Sequence, residues 1–301
     1  MRRATIDIGS NSTLLLIGDI EENQSKQIYS ESIVTGLGRD LDVNKKFLDE
    51  AMVDTYDALK KYSELCQEHK VEQIVATATE ASRVATNAPD FYKKVKTDLG
   101  FDVTIITGEG EAYYSARGLL FGPIDDEEIY IMDIGGASTE LIHVKTNPFK
   151  IEKSTSLPMG AVRMTSWLKE NKNLEKVQEI FNHFDTLGYK TKKLFCVAGT
   201  MTSVANMHME NKEFNEQKVN NHHMSTNDIF EMIQKFQGYT AEQFLAEFPF
   251  LGKRSRTIEG GLNVAESIFK KCEVEQLVIS TYGLRYGTFV EGKIKNEFIA
   301  G

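Results

Sequence analysis

Three short runs rich in apolar and β-branched residues open the chain, at 3–8, 14–19 and 27–34, and read as strands. The period then changes. Leu48, Met52, Tyr56, Leu59 and Leu65 fall at helical spacing and predict a helix over 49–70. A strand at 73–78, a helix over 90–99 after Pro89, a strand at 103–106 and a helix over 109–120 complete this half. It ends at the Gly122-Pro123 breaker and an acidic linker, 125–128. The second half repeats the order. Strands at 129–134, 140–144 and 150–157 precede helices at 161–170 and 174–187. A strand at 194–197 then leads into a helix from Met201. Further helices are expected at 226–237 and 257–271, separated by a turn-rich stretch at 248–252. A last strand at 276–279 feeds a helix near Gly283. The polar stretch 210–221 reads as a surface excursion.

Three strands, a helix and a strand, used twice, imply an α/β protein with a mixed sheet and helices in each of two domains. The expected division is 1–122 and 123–288, with 289–301 returning to the first domain. Within this repeat one segment recurs closely: Asp7-Ile-Gly-Ser-Asn-Ser-Thr-Leu matches Asp133-Ile-Gly-Gly-Ala-Ser-Thr-Glu. Both copies are flanked by apolar runs, so each reads as strand, tight polar turn, strand. Small residues let backbone N–H groups approach an anion closely, and an acidic residue at the strand end can hold a cation beside a phosphate.

Length and composition suit a globular two-domain protein, and a net charge of −9 argues against nucleic-acid binding, which needs a basic face. Cys66, Cys196 and Cys272 are widely spaced and odd in number, which favours a reducing cytoplasm. No apolar run approaches the length of a membrane span, and no signal segment is read.

The motifs together resemble the exopolyphosphatase/guanosine pentaphosphate phosphatase (Ppx/GppA) family of the actin, Hsp70 and sugar-kinase superfamily. The likeness rests on the two turns, on Val75-Ala-Thr-Ala-Thr79 with Arg83, and on Thr107-Gly-Glu-Gly-Glu-Ala112. It continues through Ser156-Leu-Pro-Met-Gly160, Ala198-Gly-Thr200 and Gly283-Leu-Arg-Tyr-Gly287. It implies two ribonuclease-H-like (actin-like ATPase) domains with a central interdomain cleft, hinged near 118–126. The implied reaction is phosphoanhydride hydrolysis, releasing terminal phosphate from polyphosphate or from pppGpp.

By this resemblance Glu111 positions or deprotonates the attacking water. Asp7, Asp133 and Glu140 would hold Mg²⁺ or Mn²⁺, with Glu140 counted among the catalytic groups. Ser10, Asn11 and Ser12 would cradle one phosphoryl group, and Gly135, Gly136, Ala137 and Ser138 another. Arg83, Gly199, Thr200 and Arg254 complete the phosphate contacts, Arg254 lying in the basic patch Lys253-Arg-Ser-Arg256. Partners would be polyphosphate or guanosine penta- and tetraphosphate, with no nucleic acid and no membrane, and the protein a cytoplasmic homodimer.

The chain departs from the family pattern at four positions. Gly110 stands where a second glutamate is usual, and Glu80 where a small polar residue is common. Ala137 replaces a glycine, and Tyr282 an acidic or small residue. Two alternatives stay open, the first motivated by Gly110 and Glu80. One is a non-catalytic sensor of phosphorylated nucleotides (alarmones) with the same fold. The other is an ATP-using kinase, for which Glu259-Gly-Gly261 is the one candidate adenine turn. His222-His223 are adjacent on a candidate strand and so face opposite ways, which suits a single metal poorly. Met164, Trp167 and Leu168 read as a helix core face, and Cys196 as a buried small hydrophobe.

Overall fold

The computed structural model describes residues 1–21, 25–183, 185 and 187–301. They form two compact units, Met1–Phe121 with Gly283–Gly301, and Gly122–Tyr282.

In the first unit β1 (Arg2–Ile8) pairs antiparallel with β2 (Ser12–Ile20), which pairs antiparallel with β3 (Ser25–Val34). After the short α1 (Leu41–Asn44), helix α2 (Asp49–Glu68) turns Leu59, Tyr62 and Cys66 into the apolar core that Ala4, Ile6 and Ile8 of β1 also enter. Strand β4 (Gln73–Ala78) then returns parallel to β1, placing Thr77 beside Asp7. Helices α3 (Glu80–Val84) and α4 (Ala88–Leu99) follow, α4 opening with Pro89 in its first turn and closing on Gly100 at φ 81°. Strand β5 (Val103–Ile105), parallel to β4, leads into α5 (Gly108–Leu119). The sheet order is β3-β2-β1-β4-β5.

The second unit repeats this plan. Strands β6 (Glu128–Ile134), β7 (Thr139–Lys145) and β8 (Lys150–Leu157) form an antiparallel meander, followed by α6 (Ala161–Lys169) and α7 (Asn173–His183). Strand β9 (Lys193–Val197) runs parallel to β6 and enters α8 (Ala198–His208). Next come α9 (Glu216–Val219), β10 (His222–Ser225), α10 (Thr226–Phe236), α11 (Ala241–Glu247), α12 (Ile258–Cys272) and β11 (Gln276–Ile279). The sheet order β8-β7-β6-β9-β11-β10 matches the first sheet strand for strand, with β10 added at one edge. One apolar core fills this unit, built on Met132, Leu141, Cys196, Met201, Ile268 and Leu277, with Trp167 and Leu168 packed against it.

Helix α13 (Leu284–Glu291) belongs to the first unit, which corrects the expected division at residue 288. Two glycines explain its place. A Cβ on Gly118 would lie 1.9 Å from the Gly283 carbonyl oxygen, and one on Gly287 1.9 Å from that of Tyr114. Backbone therefore meets backbone where α5 and α13 cross, and no larger residue fits.

Other differences have local causes. The helix expected over 174–187 runs Asn173–His183, and residues 184 and 186 of that expectation lie outside the described residues. Helices α1, α3, α9 and α11 are too short to print an apolar period. The polar stretch 210–221 is tied to the fold by buried Asn206, whose amide donates to the Glu213 carbonyl and accepts from Asn211 and from the Asn215 N–H. Among the described residues no helix is long and apolar enough to cross a membrane.

Candidate active site

The duplicated segments form two hairpins of matching register and turn bonding. In the first, the Gly9 N–H donates to the Ser12 carbonyl at 2.9 Å; in the second, the Gly135 N–H donates to that of Ser138 at 3.0 Å. A Cβ on either glycine would meet that oxygen at 3.2 or 3.1 Å, which explains the small residue at the start of each turn. The turn carbonyls are held from outside. Ser10 accepts from the Gly38 N–H, and Asn11 from those of Thr35 and Gly36. Gly135 accepts from the Ala161 N–H, Gly136 from that of Val162, and Ala137 from Arg163 Nη1 at 2.7 Å. Among the described residues no acceptor takes the turn amides of Asn11 or Ala137. A turn anchored through its carbonyls with amides left over has the polarity an anion requires. Neither turn uses the left-handed region, positive φ lying elsewhere, so Ala137 serves in the place of a glycine.

Strand register decides what lies beside each turn. Asp7 is opposite Leu14, whereas Asp133 is opposite Glu140. Directly opposed residues share a face with Cβ atoms roughly 5 Å apart. The second hairpin thus carries two adjacent carboxylates where the first carries one. Glu140 is 3% exposed, and its Oε1 accepts from the Ser156 hydroxyl at 2.8 Å. Side-by-side carboxylates repel unless a cation intervenes, and an oxygen-only donor pair suits a hard cation such as Mg²⁺, which retains waters. Among the described residues no three or more His, Cys, Asp or Glu side chains gather as a ready-made metal cage. Mg²⁺ is commonly held by only one or two carboxylates together with substrate phosphate, so the donor set fits it.

At the carboxyl edge of β4 and β5 stands the second group of candidates. Glu111, 6% exposed, lies in the first turn of α5, where the helix dipole favours an anion. Thr107 caps that helix, its hydroxyl accepting from the Gly110 N–H at 3.1 Å. Arg83 on α3 bonds Glu111 Oε1 through Nη1, Glu80 Oε2 through Nη2 at 2.7 Å, and the Ile106 carbonyl through Nη1 at 2.6 Å. Burial works against the Arg83 charge, but Glu111 and Glu80 outweigh it and raise its pKa above the ordinary value. The resemblance implies a phosphate contact for Arg83; in this structure its guanidinium holds two carboxylates. Glu80, a departure in the sequence, is its second partner.

The third turn, Ala198-Gly199-Thr200, opens α8. Ala198 adopts φ 68°, a left-handed strain for a residue with a side chain. Arg254 lies over it: a Cβ on Gly199 would sit 2.4 Å from Arg254 Nη2, and Arg254 Nη1 donates to the Ser203 hydroxyl at 3.0 Å. Desolvation lowers the Arg254 pKa to about 10, so it remains a cation at neutral pH. Its neighbours Lys253 and Arg256 point to solvent, so the basic patch divides into one inward and two outward charges. Sequence reasoning missed the Thr107 cap, Arg163 beneath the second turn, and Ser156 beside Glu140; the Thr-x-x-Gly spacing in 107–110 was the available signal. His222 and His223 occupy successive positions on β10, and His222 Nε2 meets His208 Nδ1 at 3.0 Å.

Comparison with known proteins places these features in context. The model of the Ppx/GppA phosphatase family matches residues 16–294. A bifunctional 3-dehydroquinate synthase/phosphatase of Fusobacterium nucleatum is 29% identical over 96% of this chain, which spans 46% of that protein. Exopolyphosphatase 2 of Mycobacterium tuberculosis is 26% identical over 95% of this chain and 97% of its own length. Among solved structures, the Aquifex aeolicus PPX-GPPA enzyme is 28% identical, with a TM-score of 0.78 over 97% of this chain and 99% of that one. An exopolyphosphatase from Cytophaga hutchinsonii is 25% identical, with a TM-score of 0.82 over 98% and 100%.

Proposed function

The chain belongs to the Ppx/GppA phosphatase family, and we propose that it hydrolyses phosphoanhydrides, releasing terminal inorganic phosphate from polyphosphate or from pppGpp. The observation that carries this reading is Glu111: a nearly buried carboxylate at a helix N-terminus, held by Arg83 at the carboxyl edge of the sheet.

Each residue then has a chemical task. Glu111 orients the attacking water and accepts its proton, while Arg83 fixes the carboxylate's direction. The Asn11 and Ala137 amides, with Ser10, Ser12 and Ser138, bind non-bridging phosphoryl oxygens. Such preset dipoles stabilise the charge that shifts to those oxygens in the transition state. Gly199, Thr200 and Arg254 take further phosphate charge. Asp133 and Glu140, opposed on neighbouring strands, would hold Mg²⁺ or Mn²⁺, which would supply charge neutralisation when bound. Relatives named exopolyphosphatase and guanosine-5'-triphosphate,3'-diphosphate pyrophosphatase support the two substrate classes. Three buried free cysteines support a reducing, cytoplasmic setting. The homodimer rests on the resemblance alone, and sedimentation velocity decides it.

A phosphate-release screen over polyphosphate lengths, pppGpp and ATP, with and without Mg²⁺, tests the reaction. Release from polyphosphate or pppGpp supports it, and inertness towards both contradicts it. One observation favours a second reading, a sensor of phosphorylated nucleotides: Arg83 is already neutralised by Glu80 and Glu111. Calorimetric binding of pppGpp without phosphate release would establish that alternative.

A further inference from the structure

The end of the chain reaches the first turn of α5. Residues 298–300 run antiparallel to 105–107, at the free edge of β5. The Thr107 N–H donates to the Phe298 carbonyl, the Ala300 N–H donates to that of Ile105, both at 2.9 Å, and Ile106 bridges Ile299. The Phe298 ring packs on Tyr113 and Tyr114 of α5, with centroids 4.9 and 5.9 Å away.

One peptide group joins this strap to the proposed catalytic carboxylate. The carbonyl of Ile106 accepts from Arg83 Nη1, the nitrogen that also bonds Glu111, while the N–H of the same peptide, on Thr107, donates to Phe298. Thr107 in turn caps α5 and accepts the Glu111 N–H on its carbonyl at 2.9 Å. Gly110 is the point of closest approach. A Cβ there would stand 2.9 Å from Phe298 Cβ and 3.3 Å from its carbonyl oxygen. The missing side chain at 110 is therefore the space the strap occupies, and a glutamate at 110 is incompatible with the docked strap.

We infer that the strap at 295–300 is a positioning element for Glu111, setting the carboxylate's direction through the Ile106–Thr107 peptide and the gap at Gly110. This rests on the reading of Glu111 as the group that handles water. Undocking the strap frees one side of that peptide and lets the Arg83–Glu111 pair turn, while the phosphate turns stay in place. A misplacement on the order of 1 Å at a reacting group costs up to about 10²-fold in rate. The expected signature is a fall in kcat with KM nearly unchanged.

Two independent variants test it in the full-length chain. Gly110→Ala pushes on Phe298, and Ala300→Pro removes the Ala300 N–H bond at an exposed edge without touching α5. Each should lower kcat for phosphate release at least about fivefold, with KM within about twofold, because the affected interaction acts only on the chemical step. Combining Gly110→Ala with Phe298→Gly supplies a cycle, since the second change removes the Cβ that the first would strike. In the Phe298→Gly background, Gly110→Ala should cost nothing further. The inference is overturned by wild-type kcat in Ala300→Pro, or by an undiminished effect of Gly110→Ala in the Phe298→Gly background. If Gly110→Ala alone fails to fold, Ala300→Pro and the double variant still decide the question. Full turnover in Glu111→Gln would remove the underlying reading; loss there with no effect of the strap variants would remove only this inference.

Discussion

Replacing Gly287 with alanine tests the packing that joins the end of the chain to α5. The added Cβ would sit 1.9 Å from the Tyr114 carbonyl oxygen, 2.7 Å from its carbonyl carbon and 2.9 Å from its Cα. Ordinary contact begins near 3.4 Å, so α5 and α13 must separate by about 1.5 Å at this point. All three struck atoms are backbone, so no side-chain rotation relieves the clash. Overpacking in a filled core costs about 1–3 kcal/mol, and the rigid partner places this site at the upper end, about 3 kcal/mol. For a unit of this size that is a fall in Tm of roughly 6–12 °C. The single tryptophan, Trp167, lies in the second unit, so two signals separate the units. Urea unfolding followed by tyrosine absorbance and far-ultraviolet circular dichroism should show an early transition from the first unit. Trp167 fluorescence should keep its midpoint far better. Gly301→Ala, where a Cβ meets nothing within 4 Å, serves as the neutral control. An unchanged midpoint in Gly287→Ala, or a shift confined to the Trp167 signal, would refute the close-approach argument.

Three further outcomes are expected. Desolvation holds the Arg254 pKa near 10, below its ordinary value, so its charge is lost as pH rises through about 10. kcat/KM should fall on that alkaline limb, and Arg254→Gln should be weaker at neutral pH yet lack the limb; a persisting limb would assign it elsewhere. Glu80→Ser removes one of the two carboxylates neutralising Arg83, worth about 1 kcal/mol to an incoming phosphate. KM should fall roughly fivefold in initial-rate assays, and an unchanged or higher KM would count against a phosphate path near Arg83. Burial opposes the Asp228 charge, but the Ser225 N–H and hydroxyl, with His208 and His222, hold its pKa below the ordinary value. This capping-box carboxylate contributes about 1 kcal/mol above pH ~4, the unfolded-state value, and its contribution is lost as pH falls through the lower folded value. The Tm gap between wild type and Asp228→Ala should therefore close under acid, and a constant gap would show that the carboxylate's charge is irrelevant.

Much of this architecture was legible because it is written twice. The Asp-Ile-Gly turns at 7–9 and 133–135 announced two equivalent hairpins, and the repeated element sequence implied a mixed sheet in each half, whose strand orders the structure shows to match. Long helices such as α2 and α12 bury whole stripes of side chains and so print their period. Helix α11 buries only Phe244, and α9 only Val219, so neither leaves a pattern to read. The place of α13 turned on distances between backbones at Gly118 and Gly287, which composition cannot reveal.

At the candidate site, residue types were easier to read than pairings. Glu111 and Arg83 were both singled out, but their ion pair spans 28 positions and depends on β4 and β5 ending side by side. Phe298 drew no attention, because its bond to Thr107 is made by a backbone carbonyl that any residue carries. For the same reason the gap at Gly110 looked like a lost carboxylate, when in the fold it is occupied space.

The carboxylate beside Arg83 is the hinge of the account, and removing its charge while keeping its shape is the sharpest trial. Single-turnover phosphate release by Glu111→Gln, with polyphosphate and with pppGpp in Mg²⁺, should fall by at least about 10²-fold. Calorimetry on the same variant should show ligand affinity close to that of the wild type. A Glu111→Gln protein that releases phosphate at the wild-type rate would show that another group handles the water.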